Sequence, residues 1–155
     1  MTQPVAFITG ATGFTGNQLA KRLLKEGWIV RALIRDLSRK SELESEGMIP
    51  VPGDLTEPDS YKSSIQGVDT VFHIAALYRR QGSRDDHFRV NTWCTRQLMD
   101  LAIEKNVNRF IYCSTVGVHS EITGIANEQA PVQPADWYQK SKWEAEKIVH
   151  AELKA

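Results

Sequence analysis

The sequence predicts an α/β fold, a doubly wound parallel sheet of strand order 3-2-1-4-5 with helices on both faces. Three observations carry this expectation. Apolar, strand-like runs alternate with amphipathic helical segments along the whole chain. The first run, Val5 to Ile8, opens into Thr9-Gly10-Ala11-Thr12-Gly13-Phe14-Thr15-Gly16 and then a helical stretch with Leu19, Leu23 and Leu24 on one face. The third run, Met48 to Pro52, holds two prolines, which cannot donate to a sheet ladder. It therefore belongs at an edge, where this strand order places the third strand.

Composition narrows the function classes. A chain of 155 residues can bury a real core, and its charged fraction of 25% is that of a soluble globular protein. The formal net charge is +0 and no basic stripe appears, so neither nucleic acid nor an anionic membrane surface is implied. No apolar run is long enough to span a bilayer, and the first strand begins too early for a secretory signal. Cys94 and Cys113 show no metal-ligand spacing and read as free thiols of a cytoplasmic protein. No metal site is expected.

The elements follow in order. Gly27 stops the first helix, and Trp28 to Ile34 is the second strand, ending at Arg35 and Asp36. Leu37 to Glu46 is a short polar helix before the edge strand. Gly53-Asp54-Leu55 is a turn, and Thr56-Glu57-Pro58-Asp59 has capping-box spacing for a helix whose Tyr61 and Ile65 face inward. Asp69 to Ile74 is the fourth strand, followed by Ala75 and Ala76. Leu77 to Arg84 reads as an exposed loop. Asp85 to Lys105 is expected to be the longest helix, with Phe88, Asn91, Thr95, Leu98 and Ala102 as its inward stripe. Arg109 to Cys113 is the fifth strand, leading to Ser114 and Thr115. Val116 to Ala135 is a loop long enough to be functional or mobile, and Asp136 to Leu153 is the last helix.

A strand, a glycine-rich turn and a helix make a phosphate-binding turn. Gly10 allows the tight turn, Gly13 lets a pyrophosphate approach the backbone, and Gly16 lets helix and strand pack closely. The helix start, with its N–H groups and dipole, faces the anion. Thr12 and Phe14 lie in the same turn. Arg35 and Asp36 fall about twenty residues beyond it, where such a fold reads the adenosine ribose. An arginine fork suits a 2′-phosphate, so Arg35 predicts NADP(H) over NAD(H), with Arg39 or Lys40 as a second phosphate contact.

Tyr138 and Lys142 share a helix face with Ser141, Ala145 and Ile148. An ammonium beside a phenol favours the phenolate, so such a tyrosine can exchange a proton with a substrate oxygen. The spacing Y-x-x-x-K is common by chance; its place in this chain is what makes it informative. His73 reads as a core histidine. His87, His119 and His150 form no metal or nucleophile constellation, and no G-x-S-x-G elbow suggests a serine hydrolase.

T-G-A-T-G-F-T-G, with its G-x-x-G-x-x-G spacing, together with Tyr-Gln-Lys-Ser-Lys at 138–142, resembles the extended branch of the short-chain dehydrogenase/reductase family. That branch contains nucleotide-sugar epimerases, dehydratases and dihydroflavonol-reductase-like enzymes. The resemblance implies a Rossmann fold, NAD(P) as cofactor and hydride transfer on a hydroxyl or carbonyl substrate such as a nucleotide sugar. It implies Thr115 as the substrate-orienting hydroxyl, with Ser114 as the neighbouring candidate, and Tyr138 and Lys142 as the acid/base pair that also contacts the cofactor. Val90-Asn91-Thr92-Trp93-Cys94-Thr95 resembles V-N-x-x-G-T, whose Asn shapes the site; here Cys94 stands where the family has glycine. Asp54 and Leu55 match the D-L pair at the adenine, and Ala75 and Ala76 the small residues beside the cofactor. A homodimer is the assembly the resemblance allows.

Members of this branch continue well past the Y-x-x-x-K helix, with a substrate-binding part. Residues 1–155 are therefore expected to be the NAD(P)-binding domain of a longer enzyme, weakly active or inactive by itself. A non-catalytic NAD(P)-binding or sensing module is the alternative. Placing a branched side chain where the pyrophosphate is expected, Gly13→Val should abolish NADPH binding while leaving the circular dichroism spectrum unchanged. Unchanged affinity would make the stretch an ordinary turn.

Overall fold

The computed structural model describes residues 2–78, 82–120, 122 and 124–152. They fall into two compact units, Met1–Ala76 with Gln97–Cys113 and Leu77–Arg96 with Ser114–Ala155.

The first unit is built on five parallel strands: β1 (Val5–Thr9), β2 (Ile29–Ile34), β3 (Ile49–Pro52), β4 (Thr70–His73) and β5 (Arg109–Tyr112). Their order is β3-β2-β1-β4-β5, as the sequence predicts, with proline-bearing β3 at one edge and β5 at the other. β1 is apolar from Val5 to Ile8 because both its faces are covered. Side chains alternate along a strand, so Ala6 and Ile8 share one face. They join a buried cluster with Ala20 and Leu23 of α1 (Phe14–Lys25) and Leu43 of α2 (Lys40–Ser45). Phe7 points the other way and stacks on Tyr61 at 5.9 Å between ring centres, and both rings are fully buried. Ile65 is buried as well. The β5 edge is more open, with Ile111 47% exposed.

The expected capping box at Thr56 does not form. Asp54 Oδ1 accepts hydrogen bonds from both the Thr56 N–H (2.8 Å) and its hydroxyl (2.7 Å), folding the threonine back onto the turn. The segment beyond it is two short 3₁₀ turns, Pro58–Ser60 and Lys62–Ile65. Glu46, just past α2, ties that region to α1. It pairs with Lys21 at 2.8 Å and accepts from Asn17 Nδ2 at 2.8 Å. These bonds, Lys21's first, hold its carboxyl below the ordinary glutamate value.

In the second unit, α3 (Arg84–His87) opens with a capping box. Ser83 Oγ accepts from the Asp86 N–H and Asp86 Oδ2 accepts from the Ser83 N–H. The continuous helix expected over Asp85 to Lys105 is interrupted: Phe88–Trp93 is π-helical, and the α-helical ladder resumes as α4 (Cys94–Glu104). At this junction the Thr95 hydroxyl donates to the Asn91 carbonyl at 2.6 Å, a bond that competes with the regular ladder. The longest α-helix is instead α5 (Trp137–Glu152). Asp136 Oδ1 accepts from the Gln139 N–H (2.7 Å), and Gln139 Oε1 accepts from the Ala135 N–H (2.6 Å), a second capping arrangement. The loop after β5 contains a 3₁₀ turn, Val116–His119. Parts of the two expected loops (79–81, 121 and 123) and the helix end at Leu153 lie outside the described residues. Among the described residues no helix is long and apolar enough to cross a membrane.

Two outcomes follow from this packing. Tyr61→Ala should destabilise the protein by about 3–5 kcal/mol, measured by urea unfolding. Glu46→Gln should lower the thermal midpoint at neutral pH. Because the folded state depresses this carboxyl's pKa, its contribution is present above the ordinary glutamate value and is lost as pH falls through the depressed one. The difference between wild type and variant should therefore close on acidification.

Candidate active site

The glycine turn separates two structural requirements from a third residue the fold does not explain. Gly10 has φ +81°, and a Cβ there would lie 2.8 Å from the Ala75 N. A Cβ on Gly16 would lie 2.2 Å from the Gly10 carbonyl oxygen, inside any tolerable contact. Gly13, the N-cap of α1, is extended at φ −90° and ψ 169°. A Cβ on it would come no closer than 3.4 Å to any atom beyond its neighbours, so the packing accepts a side chain there. No side chain caps α1 and its first turn carries no acidic residue, which leaves the positive end of the helix open to an anion. Thr12 is exposed, and Phe14 is 86% exposed and outside the core.

Thr9 is a structural part of this turn that sequence reasoning missed. Its hydroxyl oxygen accepts from the N–H groups of Ile74 and Ala75, both at 3.2 Å. Its single proton then goes to His73 Nδ1, 2.7 Å away, which fixes that nitrogen as an acceptor. His73 is fully buried, as expected of a core histidine. The available signal was a polar residue closing a buried apolar strand. Thr9 and Gly10 together bring the end of β1 against the backbone of Ala75.

Arg35 and Asp36 are exposed at the end of β2. Asp36 Oδ1 accepts from the Ser38 N–H, capping a 3₁₀ turn, and the bonds to Ser38 hold its carboxyl below the ordinary aspartate value. Arg39 is committed to Glu42, with Nη2 2.9 Å from Oε1, and Lys40 lies 3.8 Å from Glu44. Asp54 is partly buried with one oxygen held by Thr56, and Leu55 is buried. Ala76 is exposed.

In the second unit, the α5 face expected to point inward does so. Tyr138, Ser141, Lys142 and Ala145 are buried, with Lys142 only 1% exposed, and Ile148 is partly buried. A lysine at that depth is rare without a partner or a role. The Tyr138 ring meets Tyr78 edge-to-face at 5.2 Å and His87 at 6.3 Å. Asn91 is 1% exposed and its amide is used within the unit. Oδ1 accepts from the Leu77 N–H (2.7 Å), while Nδ2 donates to the Leu77 carbonyl (3.0 Å) and to Ser141 Oγ (2.9 Å). With both amide hydrogens engaged, Asn91 ties α5 to the Leu77 backbone. Ser114 Oγ donates to Glu146 Oε2 at 2.5 Å. Thr115 caps the next 3₁₀ turn, its oxygen accepting from the Gly117 N–H at 3.2 Å, which leaves its proton to donate elsewhere. Of the two hydroxyls at the end of β5, Ser114's thus donates to a carboxylate, while Thr115's oxygen serves as a turn cap.

Comparison with known proteins agrees with this architecture. The family model described as the NAD dependent epimerase/dehydratase family matches residues 6–155. The chain is 35% identical over 149 residues to the 2-alkyl-3-oxoalkanoate reductase of Shewanella oneidensis, covering 93% of this chain and 38% of that protein. A short-chain dehydrogenase/reductase superfamily protein from Agrobacterium tumefaciens, solved with bound NAD, aligns with a TM-score of 0.85 at 28% identity. That alignment covers 97% of this chain and 45% of the other. MoeE5, solved in complex with UDP-glucose and NAD, aligns at a TM-score of 0.83 and 27% identity, covering 94% of this chain and 48% of its own. The chain thus spans less than half the length of each of these relatives. By the matched family and the Rossmann architecture, it belongs to the NAD-dependent epimerase/dehydratase family of extended short-chain dehydrogenases/reductases.

Proposed function

We propose that this chain is the cofactor-binding part of an NADP(H)-dependent oxidoreductase or epimerase in which Tyr138 is the acid/base, Lys142 its tuner and Thr115 the substrate-orienting hydroxyl. The observation that carries this reading is the burial of Tyr138 and Lys142 on one face of α5. A buried ammonium one helical turn from a buried phenol favours the phenolate and readies it to take a proton from a substrate hydroxyl, or to return one to a carbonyl oxygen. Asn91 fixes α5 through Ser141, and so helps set where Tyr138 sits.

The residues of the first unit fit a dinucleotide. The uncapped start of α1 and the bare Gly13 suit a pyrophosphate, Asp54 and Leu55 are the residues assigned to the adenine, and Ala75 and Ala76 are the small residues that let the cofactor lie close. The nicotinamide would supply the hydride chemistry. Arg35 supports the phosphorylated cofactor. Arg39 and Lys40 are near carboxylates and Asp36 caps a turn, whereas the hydrogen bonds and ion pairs among the described residues leave the Arg35 guanidinium uncommitted.

A small molecule with a hydroxyl or carbonyl group is the substrate class. The similarity to MoeE5 supports a nucleotide sugar. The higher identity to an oxoalkanoate reductase favours a second reading, a 3-oxo acid or related ketone. A homodimer is supported by an open apolar groove of about 630 Å³ in the second unit. It is lined by Phe88, Trp93 and Ile148, with Trp93 64% exposed.

NADPH should bind more tightly than NADH, and Arg35→Ala should weaken NADPH selectively; equal binding of the two, or no loss in the variant, would reject the choice of cofactor. Side-by-side assay of this chain and a version extended to the length of its relatives, with a panel of carbonyl substrates, should show turnover concentrated in the longer form. In that form Tyr138→Phe should reduce kcat at least about 10²-fold. Tight NADPH binding with no turnover by either form would favour the non-catalytic module.

A further inference from the structure

His87 is a buried titratable side chain beside Tyr138 that the proposed chemistry leaves unused. It is 4% exposed, and its Nδ1 has no hydrogen-bond partner among the described residues. An unsatisfied buried polar atom costs about 1–3 kcal/mol, a cost a phenyl ring of similar shape would avoid. The imidazole nevertheless packs against the Tyr138 ring at 68° between planes, and Tyr78 meets that ring at 71°. His87 also sits at the start of the π-helical turn that carries Asn91, and such turns are frequent at functional sites. Three separate features thus converge on one phenol: a nitrogen without a partner, an irregular helical turn, and two ring contacts.

We propose that His87 is a positioning residue for Tyr138, fixing the ring plane together with Tyr78 and setting a polar ring edge against the phenol. This rests on the reading of Tyr138 as the acid/base. A polar edge beside a buried phenol favours its ionised form and adds to the effect of the Lys142 ammonium. Among the described residues, Arg84, Asp85 and Asp86 share the α3 turn with His87, Tyr78 meets the Tyr138 ring, and Lys142 lies one turn along α5 from Tyr138.

The test is ultraviolet titration of phenolate formation in this chain, with the Tyr138 contribution isolated by subtracting the curve of Tyr138→Phe. His87→Phe keeps a ring and removes the nitrogen. It should leave the thermal midpoint unchanged or raised, yet move the Tyr138 midpoint upward by about half a pH unit or more, roughly threefold in the ionisation constant. His87→Asn, which restores a polar atom near the Nδ1 position, should recover part of that shift, and His87→Gln less of it. Superimposable Tyr138 curves for wild type and His87→Phe would overturn the proposal, as would equal shifts for Asn and Gln. If His87→Phe does not fold, the comparison of Asn with Gln decides alone. Should Tyr138 titrate as an ordinary exposed phenol in the wild type, the acid/base reading of Tyr138 fails first. A perturbed Tyr138 that ignores His87 refutes only the positioning role.

Discussion

The first unit depends on one close approach of backbone to backbone. The carbonyl of Gly10 lies where any Cβ on Gly16 would have to be, and the Ala75 N lies where a Cβ on Gly10 would be. Two glycines let the start of α1 fold down onto the end of β1, and β1 lie against the end of β4. Thr9 reinforces the same junction with three hydrogen bonds from one hydroxyl. The N-terminus of α1 and the start of the segment after β4 are held together at this contact. Gly13 stands apart because the packing would accept a side chain there. A glycine not required by the fold points to something outside it, and an open helix N-terminus is a natural partner for an anion.

The second unit is held by a different kind of constraint, a buried polar network. Asn91 joins the Leu77 backbone to Ser141, and Thr92 Oγ1 adds a bond to the Ser141 carbonyl at 2.8 Å. Such bonds are strong in a low-dielectric interior and costly to leave half-made, so they fix one arrangement of α5. The Tyr138 ring sits on that helix between Tyr78 and His87. Tyr138 and Lys142 are therefore carried by an element that packing and hydrogen bonding both restrain. Such restraint is what holding a reacting group in place requires.

The fold class, the strand order, the edge position of β3 and the inward face of α5 were legible in the sequence, because each rests on a local rule. Apolar period, proline's missing N–H and the i, i+4 geometry of a helix act over a few residues. The residues of the glycine turn were legible for the same reason, and so was the family, through Tyr138 and Lys142 in their place along the chain. What the sequence could not determine is which of several polar partners, near or far along the chain, each group takes. Whether Thr56 caps a helix or folds onto Asp54 is a competition between two local hydrogen-bonding patterns of similar strength. The tertiary structure decided it for the carboxylate. Asp85 to Lys105 has the period of one straight helix, yet the chain opens a π turn where Thr95 bonds the Asn91 carbonyl and Asn91 bonds Leu77 and Ser141. That the Ser114 hydroxyl donates to Glu146, 32 residues beyond it, was likewise not legible in the sequence. Periodicity reports which face of an element is apolar. Which polar atom finds which partner depends on long-range geometry, and only the folded chain brings those atoms within reach.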